Sequence, residues 1–429
     1  MPAISHRLRE KAPVPAPRTA APEHPPASPG ESTATGPRPT RTASPGHLVS
    51  RLAARLTPAD REVLWLYLLS RIGVAVTAYC ARWLFPGDRA TRTAASVLSP
   101  FERWDWGHFL HIARDGYFPG HAGPWQAGWD NREAFFPGFP MLLRAVHVVV
   151  PSWAAAGLLI SFAAGAVAVV ALARIARLYL PEAGAGRRTV LFFLLSPCAI
   201  FLAAGYTEAL FLAFALPAWL TAQRGNWRLA ATLTALATTV RISGGFLAAA
   251  LVLQYVLTFR GHRDLRALPW LALPALPAFL YSWYLQAHTG DWMAWKSAQE
   301  RGWFRDFHTP WEAWQHTWQA AFDHTQSTGY AAMFQAELLA MVAGLLLTGL
   351  LIRRRRWPEA LYTGLSLWAL GTSYWYTSIP RATLLWWPLW IGLAAWSLRN
   401  PRIKTVYLSL AGPLTTAVAL TFLTGRWAG

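Results

Sequence analysis

Apolar residues along this chain fall into long runs separated by short polar connections, and most runs have the length a helix needs to cross roughly 30 Å of hydrocarbon. Taken as spans, they extend from about Arg61 to Phe85, Trp153 to Ala173, Thr189 to Ala204, Thr207 to Leu220, Leu229 to Val240 and Gly244 to Thr258. The series continues from about Leu268 to Ala287, Met333 to Ile352, Ala360 to Tyr376, Ala382 to Leu398 and Val406 to Thr424. The pattern predicts an all-α polytopic membrane protein with about eleven crossings. Leu229 to Val240 reads as a broken or half-spanning helix, and Phe139 to Val150 is too short to cross and reads as re-entrant or interfacial.

Two polar and aromatic stretches interrupt the series, at 86–137 and 288–330, and both are too long and too patterned for simple turns. Residues 1–60 differ again: Pro, Ala, Ser, Thr and Arg dominate, and no apolar stretch there buries enough surface to offset ordering entropy. That segment reads as a disordered cytoplasmic tail without the apolar core and cleavage site of a signal peptide, leaving 61–429 as the membrane domain. No internal repeat of fixed period is visible, which disfavours solenoids and duplicated transporters.

Charge assigns the two faces. Only 14% of the residues are charged, against about 25% in a soluble domain. The formal net charge of +18 does not mark a nucleic-acid partner, because the basic residues sit in the short connections. These are Arg174, Arg177, Arg187 and Arg188, then Arg224 and Arg228, then Arg260, Arg263 and Arg266, then Arg353 to Arg356, then Arg399, Arg402 and Lys404. With the tail inside, all five groups fall on one face, the cytoplasmic one by the positive-inside rule. The 86–137 and 288–330 loops then lie on the extracytoplasmic face. Many of the 25 tryptophans stand at run edges, as an interfacial belt requires. Cys80 and Cys198 lie inside apolar runs and support neither a disulfide framework nor a thiolate metal site.

Polar residues with no solubility role gather on the outer face. In the first loop a short helix starts near Asp105 and closes at Gly116, with Phe101, Trp104, His108 and Ile112 at helical spacing. A carboxylate among Trp104, Trp106 and Phe109 is partly desolvated, which favours a general base; equally, Asp105 could cap the helix or pair with Arg103 or Arg114. His108 and His111 stand at i, i+3, but the sequence fixes no third ligand, so no metal is expected. Glu208, after Gly205-Tyr206-Thr207, must face protein or water at membrane depth, and the isolated Arg241 needs an anionic partner, either Glu208 or a bound phosphate. Arg381, after Ser378-Ile379-Pro380, either meets a lipid phosphate or snorkels at the interface. Trp311, Trp314 and Trp318 share a helix face that suits a membrane surface better than a sugar platform. No P-loop, Rossmann fingerprint, nucleophile elbow or zinc-protease motif is present.

Four spaced blocks resemble the PIG-V-type mannosyltransferases, polyprenyl-phosphate-sugar-dependent glycosyltransferases of GT-C fold. They are Arg103-Trp104-Asp105 with Ile112-Ala113 and Gly116-Tyr117; Phe135-Phe136-Pro137 through Pro140; Ser196-Pro197 through Tyr206-Thr207-Glu208; and Thr238 to Gly244 around Arg241. Ser378-Ile379-Pro380-Arg381 with Pro388 is similar to the family's late proline-arginine motif. Trp106 after Asp105, and Ser-Gly-Gly after Arg241 and Ile242, depart from the usual pattern. The resemblance implies a GT-C-like bundle and an inverting, metal-independent and cofactor-free transfer of mannose from a polyprenyl phosphate to an acceptor hydroxyl of a lipid, glycan or protein. It further implies Asp105 as general base and Arg103, Trp104, His108, Tyr206, Glu208, Arg241 and Arg381 about the substrate. Heavy Ala, Arg and Pro usage fits a GC-rich bacterial gene and hence a bacterial cell membrane, where a GPI acceptor is not expected. The competing expectation is a transporter or flippase of lipid-linked sugars, which needs polar residues along both halves of a path.

Overall fold

A computed structural model of the chain describes residues 56–85, 96–120, 123–126, 128–258 and 265–429. The expected tail lies outside these residues up to position 55, as do 86–95 of the first loop and Arg260 and Arg263 of one basic connection. Helix begins earlier than the expected boundary at residue 60: α1 is Pro58–Leu84, started by a Thr57 capping box with Asp60 and by Pro58 at its first turn.

The remaining helices are α2 (Asp105–Asp115), α3 (Gly138–His147), α4 (Trp153–Tyr179), α5 (Ala185–Leu194), α6 (Thr207–Gln223), α7 (Trp227–Val240) and α8 (Ser243–Thr258). They continue as α9 (Leu268–Leu271), α10 (Ala275–Thr289), α11 (Ala294–Trp303), α12 (Pro310–Phe322) and α13 (Thr328–Arg353). The last are α14 (Trp357–Gly371), α15 (Ile379–Ala382), α16 (Trp387–Arg399) and α17 (Pro401–Leu423). Among the described residues, α1, α4, α13 and α17 are long and apolar enough to cross a membrane. Their outer faces carry the expected lipid-facing stripe: Leu69, Ile72 and Val76 on α1, and Val406, Leu410 and Leu414 on α17, are all exposed.

Several other runs expected as single spans are broken. The run from Thr189 splits into α5, a turn at Leu195 to Cys198 and a 3-10 helix at Ala199–Leu202. The run from Leu268 is interrupted after Leu271, with Pro274 at the break, so that α10 starts only at Ala275. The run from Ala382 gives a 3-10 turn before α16, whose first turn holds Pro388. Such breaks leave backbone groups that only a protein-lined interior can satisfy.

Two ends of the bundle are distinguished by their ion pairs. At one end the buried Asp60 accepts from Arg174 Nη2 at 2.8 Å and Arg177 Nη2 at 2.7 Å. Arg187 pairs with Glu62, Arg188 donates to Ser397 Oγ, and Arg356 stands 3.7 Å from Glu359, which also accepts from Tyr179. The basic connections that hold Arg174 to Arg188 and Arg353 to Arg356 therefore meet at this end. Arg174 lies seventeen residues along α4 from Gly157, which touches the candidate site; at 1.5 Å per residue that is about 26 Å.

Candidate active site

The first-loop helix α2 begins at Asp105 and ends at Gly116, whose φ of 79° suits glycine, as its pattern predicts. Its buried face is Trp106, Phe109, Ile112 and Ala113, not the expected stripe of Phe101, Trp104, His108 and Ile112. The cause is Trp104, which takes a left-handed φ of 51° immediately before the helix and so throws Phe101 and its own ring out of phase with the helical residues. Two contacts hold this bend: Trp104 Nε1 donates to the Arg426 carbonyl at 3.1 Å, and the buried Tyr206 hydroxyl donates to the Arg103 carbonyl at 2.7 Å. Trp106 fixes the helix against the bundle. A methyl group added at Gly157 or Gly205 would lie 2.5 or 2.6 Å from the Trp106 ring, so both glycines are needed for its seat.

The Asp105 carboxylate borders the same cavity as Trp104 and Phe109, and its partner is neither Arg103 nor Arg114 but an arginine far along the chain. Arg381 Nη1 donates to Asp105 Oδ2 at 2.7 Å, and Arg381 Nε donates to Glu208 Oε1 at 2.5 Å. The same Glu208 oxygen accepts from Arg241 Nη1 at 2.6 Å, and that nitrogen also donates to Thr207 Oγ1. The expected Glu208 to Arg241 pair is present, with Arg381 as a second cation. Arg381 is only 7% exposed and lies over the rings of Phe201 and Tyr206 at 4.7 and 4.8 Å, a buried cation-π seat that excludes interfacial snorkelling. Arg241 reaches the site because α7 ends there: the residue is extended, at φ −151°, between α7 and α8.

These groups border a cavity of about 790 Å³ whose wall includes Trp104, Asp105, Arg241, Arg305, Arg381 and Trp427. The Asp105 side chain is 19% exposed, and among the described residues no hydrogen bond occupies its Oδ1. Oε2 of Glu208 is buried and likewise unpartnered. Two further residues, Arg305 in the cavity wall and Glu337 behind the Ser378 turn, are absent from the residues singled out in the sequence. Arg305 lies in the second loop, with its Nε buried and unpartnered; burial, with the Arg241 charge adding, pushes its pKa down to about 10. Glu337, inside α13, accepts from the backbone N–H groups of Ser378 at 2.6 Å and Ile379 at 2.8 Å. A lone carboxylate within an apolar run is the signal that marks Glu337. Arg305 carries no such mark, being one of several charged residues in a polar loop.

Arg103 and His108 stand behind the wall. Arg103 contributes its carbonyl to Tyr206. His108 stacks on Phe135 at 4.9 Å and tilts toward Trp303, and burial holds its imidazole below the ordinary histidine value although the Asp105 charge acts the other way. His111 turns to Asp130 at 3.3 Å instead of joining His108. Among the described residues no group of three His, Cys, Asp or Glu side chains is disposed to hold a metal ion. On α12, Trp311 and Trp318 are exposed while Trp314 stacks on Trp318 at 6.2 Å, in keeping with a surface-seeking face.

Residues 86–269 match the profile of the family described as Mannosyltransferase (PIG-V). GPI alpha-1,6-mannosyltransferase 2 of Mus musculus is 34% identical over 213 residues, which cover 44% of this chain and 41% of the mouse protein. The Rattus norvegicus protein of that name is 32% identical over the same coverage, and the Homo sapiens protein 34% identical over 171 residues, 38% of this chain and 33% of the human one. The match with these curated relatives thus spans about two fifths of their length or less. The profile match takes in Asp105, Tyr206, Glu208 and Arg241, so over the stretch 86–269 the chain is similar to the PIG-V mannosyltransferases.

Proposed function

We propose that this chain is a membrane-embedded mannosyltransferase that moves mannose, with inversion, from a polyprenyl-phosphate donor to an acceptor hydroxyl of a glycan, lipid or protein. The observation that carries the reading is the state of Asp105: one oxygen is tied to Arg381 and the other is open at the wall of a large cavity. A carboxylate fixed by one oxygen and free at the other is suited to take a proton from a hydroxyl within hydrogen-bond reach. The acceptor O–H bond then gives its proton to Asp105, its electron pair forms the bond to the anomeric carbon, and the bond from that carbon to the phosphate oxygen breaks.

The leaving phosphate gathers negative charge, and the cations with room to meet it are Arg241, 26% exposed at its side chain, and Arg305, which has no carboxylate partner among the described residues. Arg381 is committed to Asp105 and Glu208, so its part is to orient the base. The cavity also has an apolar wall, including Phe246, Leu370 and Leu385, compatible with a prenyl chain entering from the bilayer. In this scheme the lipid-linked sugar is a substrate, and neither a nucleotide, a metal nor another cofactor has a part. The basic end of the bundle would face the cytoplasm of a bacterial cell and the cavity its exterior.

The test is transfer by purified full-length protein from radiolabelled polyprenyl-phosphate mannose to a cell-envelope lipid extract. Asp105→Asn should abolish transfer while the protein stays folded and membrane-inserted; undiminished turnover would remove Asp105 from the mechanism.

A further inference from the structure

The residue that orients the base is itself held in place from a different helix. Arg381 belongs to α15, a single turn too short to be stable by itself, since an isolated turn fixes several dihedrals for one hydrogen bond. The residue at the start of that turn, Ser378, sits at φ 68°, a left-handed conformation that a serine adopts only where its surroundings impose it. No side chain of the turn caps its N-terminus, and Pro380 has no N–H to offer. The N–H groups of Ser378 and Ile379 both point at Glu337, one to each carboxylate oxygen. Glu337 is fully buried on α13, a long helix that packs on α14 and α12, and so brings a rigid anchor to an otherwise weak turn.

The connections therefore run in one line: from α13 through Glu337 to the Ser378-Ile379 backbone, two residues on to Arg381, and through its guanidinium to Asp105 Oδ2. A carboxyl group that accepts from two backbone donors fixes both the height and the rotation of the turn, because each oxygen has one assigned partner. We propose that Glu337 is a positioning residue for the transfer reaction, setting the place of Arg381 and thereby the direction of the open Asp105 oxygen. This rests on the reading of Asp105 as the base. Glu337 makes no step of its own and takes no proton from substrate.

The proposal distinguishes itself from a merely structural carboxylate by dependence on Arg381. Glu337→Gln keeps the side-chain volume but sets an amide N–H₂ against one of the two N–H donors, so the turn loses one anchor. In the transfer assay, kcat should fall on the order of 10²-fold, the effect of a roughly 1 Å misplacement of a catalytic group. KM for the donor should change less than about two-fold, because Arg241 and Arg305 lie on other segments. The Glu337→Asp variant retains both acceptor oxygens on a shorter stem, and its kcat should fall between those of wild type and Glu337→Gln.

The decisive comparison is a double-mutant cycle. If Glu337 acts through Arg381, Glu337→Gln added to Arg381→Gln should cost little more than Arg381→Gln alone. Equal fold-losses in the two backgrounds, or an unchanged kcat in Glu337→Gln, would overturn the proposal. So would failure of both the Glu337→Gln and Glu337→Asp variants to fold, since the residue would then hold the fold and not the site. Failure of the base reading has a different signature: Asp105→Asn retains turnover whatever Glu337 does.

Discussion

Arginines gather on carboxylates at both ends of the bundle, and the two clusters differ in what is left over. Asp60, at the basic end, is buried and saturated: Arg174 and Arg177 take both oxygens, and the Thr57 backbone N–H adds a further donor. At the other end Asp105 and Glu208 share Arg381, yet one Asp105 oxygen is open and Glu208 Oε2 is unpartnered. The residue types are the same. A closed cluster has spent its hydrogen-bonding capacity on the fold, and an open one retains capacity facing a cavity, so unmet valence, more than the presence of ion pairs, marks the site.

The sharpest way to break that comparison is to neutralise each acid in turn. Asp105→Asn should lower transfer by about 10² to 10⁴-fold, the usual contribution of a general base, with an unchanged melting temperature. Asp60→Asn should do the reverse: a loss on the order of 3 kcal/mol in unfolding free energy, because a buried partner of two cations is removed, with kcat of the surviving folded fraction intact. Equal effects of the two changes on both readouts would erase the distinction.

A smaller effect is expected at the cation side. Arg305→Gln should raise KM for the donor by roughly ten-fold or more, from the loss of about 1.5 to 3 kcal/mol of charge-assisted hydrogen bonding, with kcat less affected; titration of the purified protein with polyprenyl phosphate checks it directly. Smallest in stability, at about 1 to 3 kcal/mol of overpacking, is Gly205→Ala, which drives a methyl group into the Trp106 ring. It should lower kcat as well as the melting temperature, since Asp105 precedes Trp106 in the chain.

Much of this arrangement is legible in the sequence. Asp105 at a helix start, Gly116 at its end and the Glu208 to Arg241 pair follow from local pattern and from the cost of a lone charge in an apolar run. What is not legible is long-range or conformational. Arg381 finds Asp105 across 276 positions, a meeting that no spacing encodes. The phase of α2 is set by one left-handed tryptophan, and a helical wheel drawn through Trp104 therefore assigns the wrong face. An apolar average predicts one span where Pro274 divides the helix, because it does not register a missing N–H.

The seat of Trp106 against the adjoining Gly157 and Gly205 has a consequence for which sequences this site tolerates. With no clearance between the ring and either glycine, the three positions behave as one volume: a larger residue at either glycine is harmful alone but becomes tolerable with a smaller ring or an aliphatic side chain at 106. Gly205→Ala should accordingly be rescued by Trp106→Phe or Trp106→Leu, whereas a change of Asp105 has no such second-site remedy.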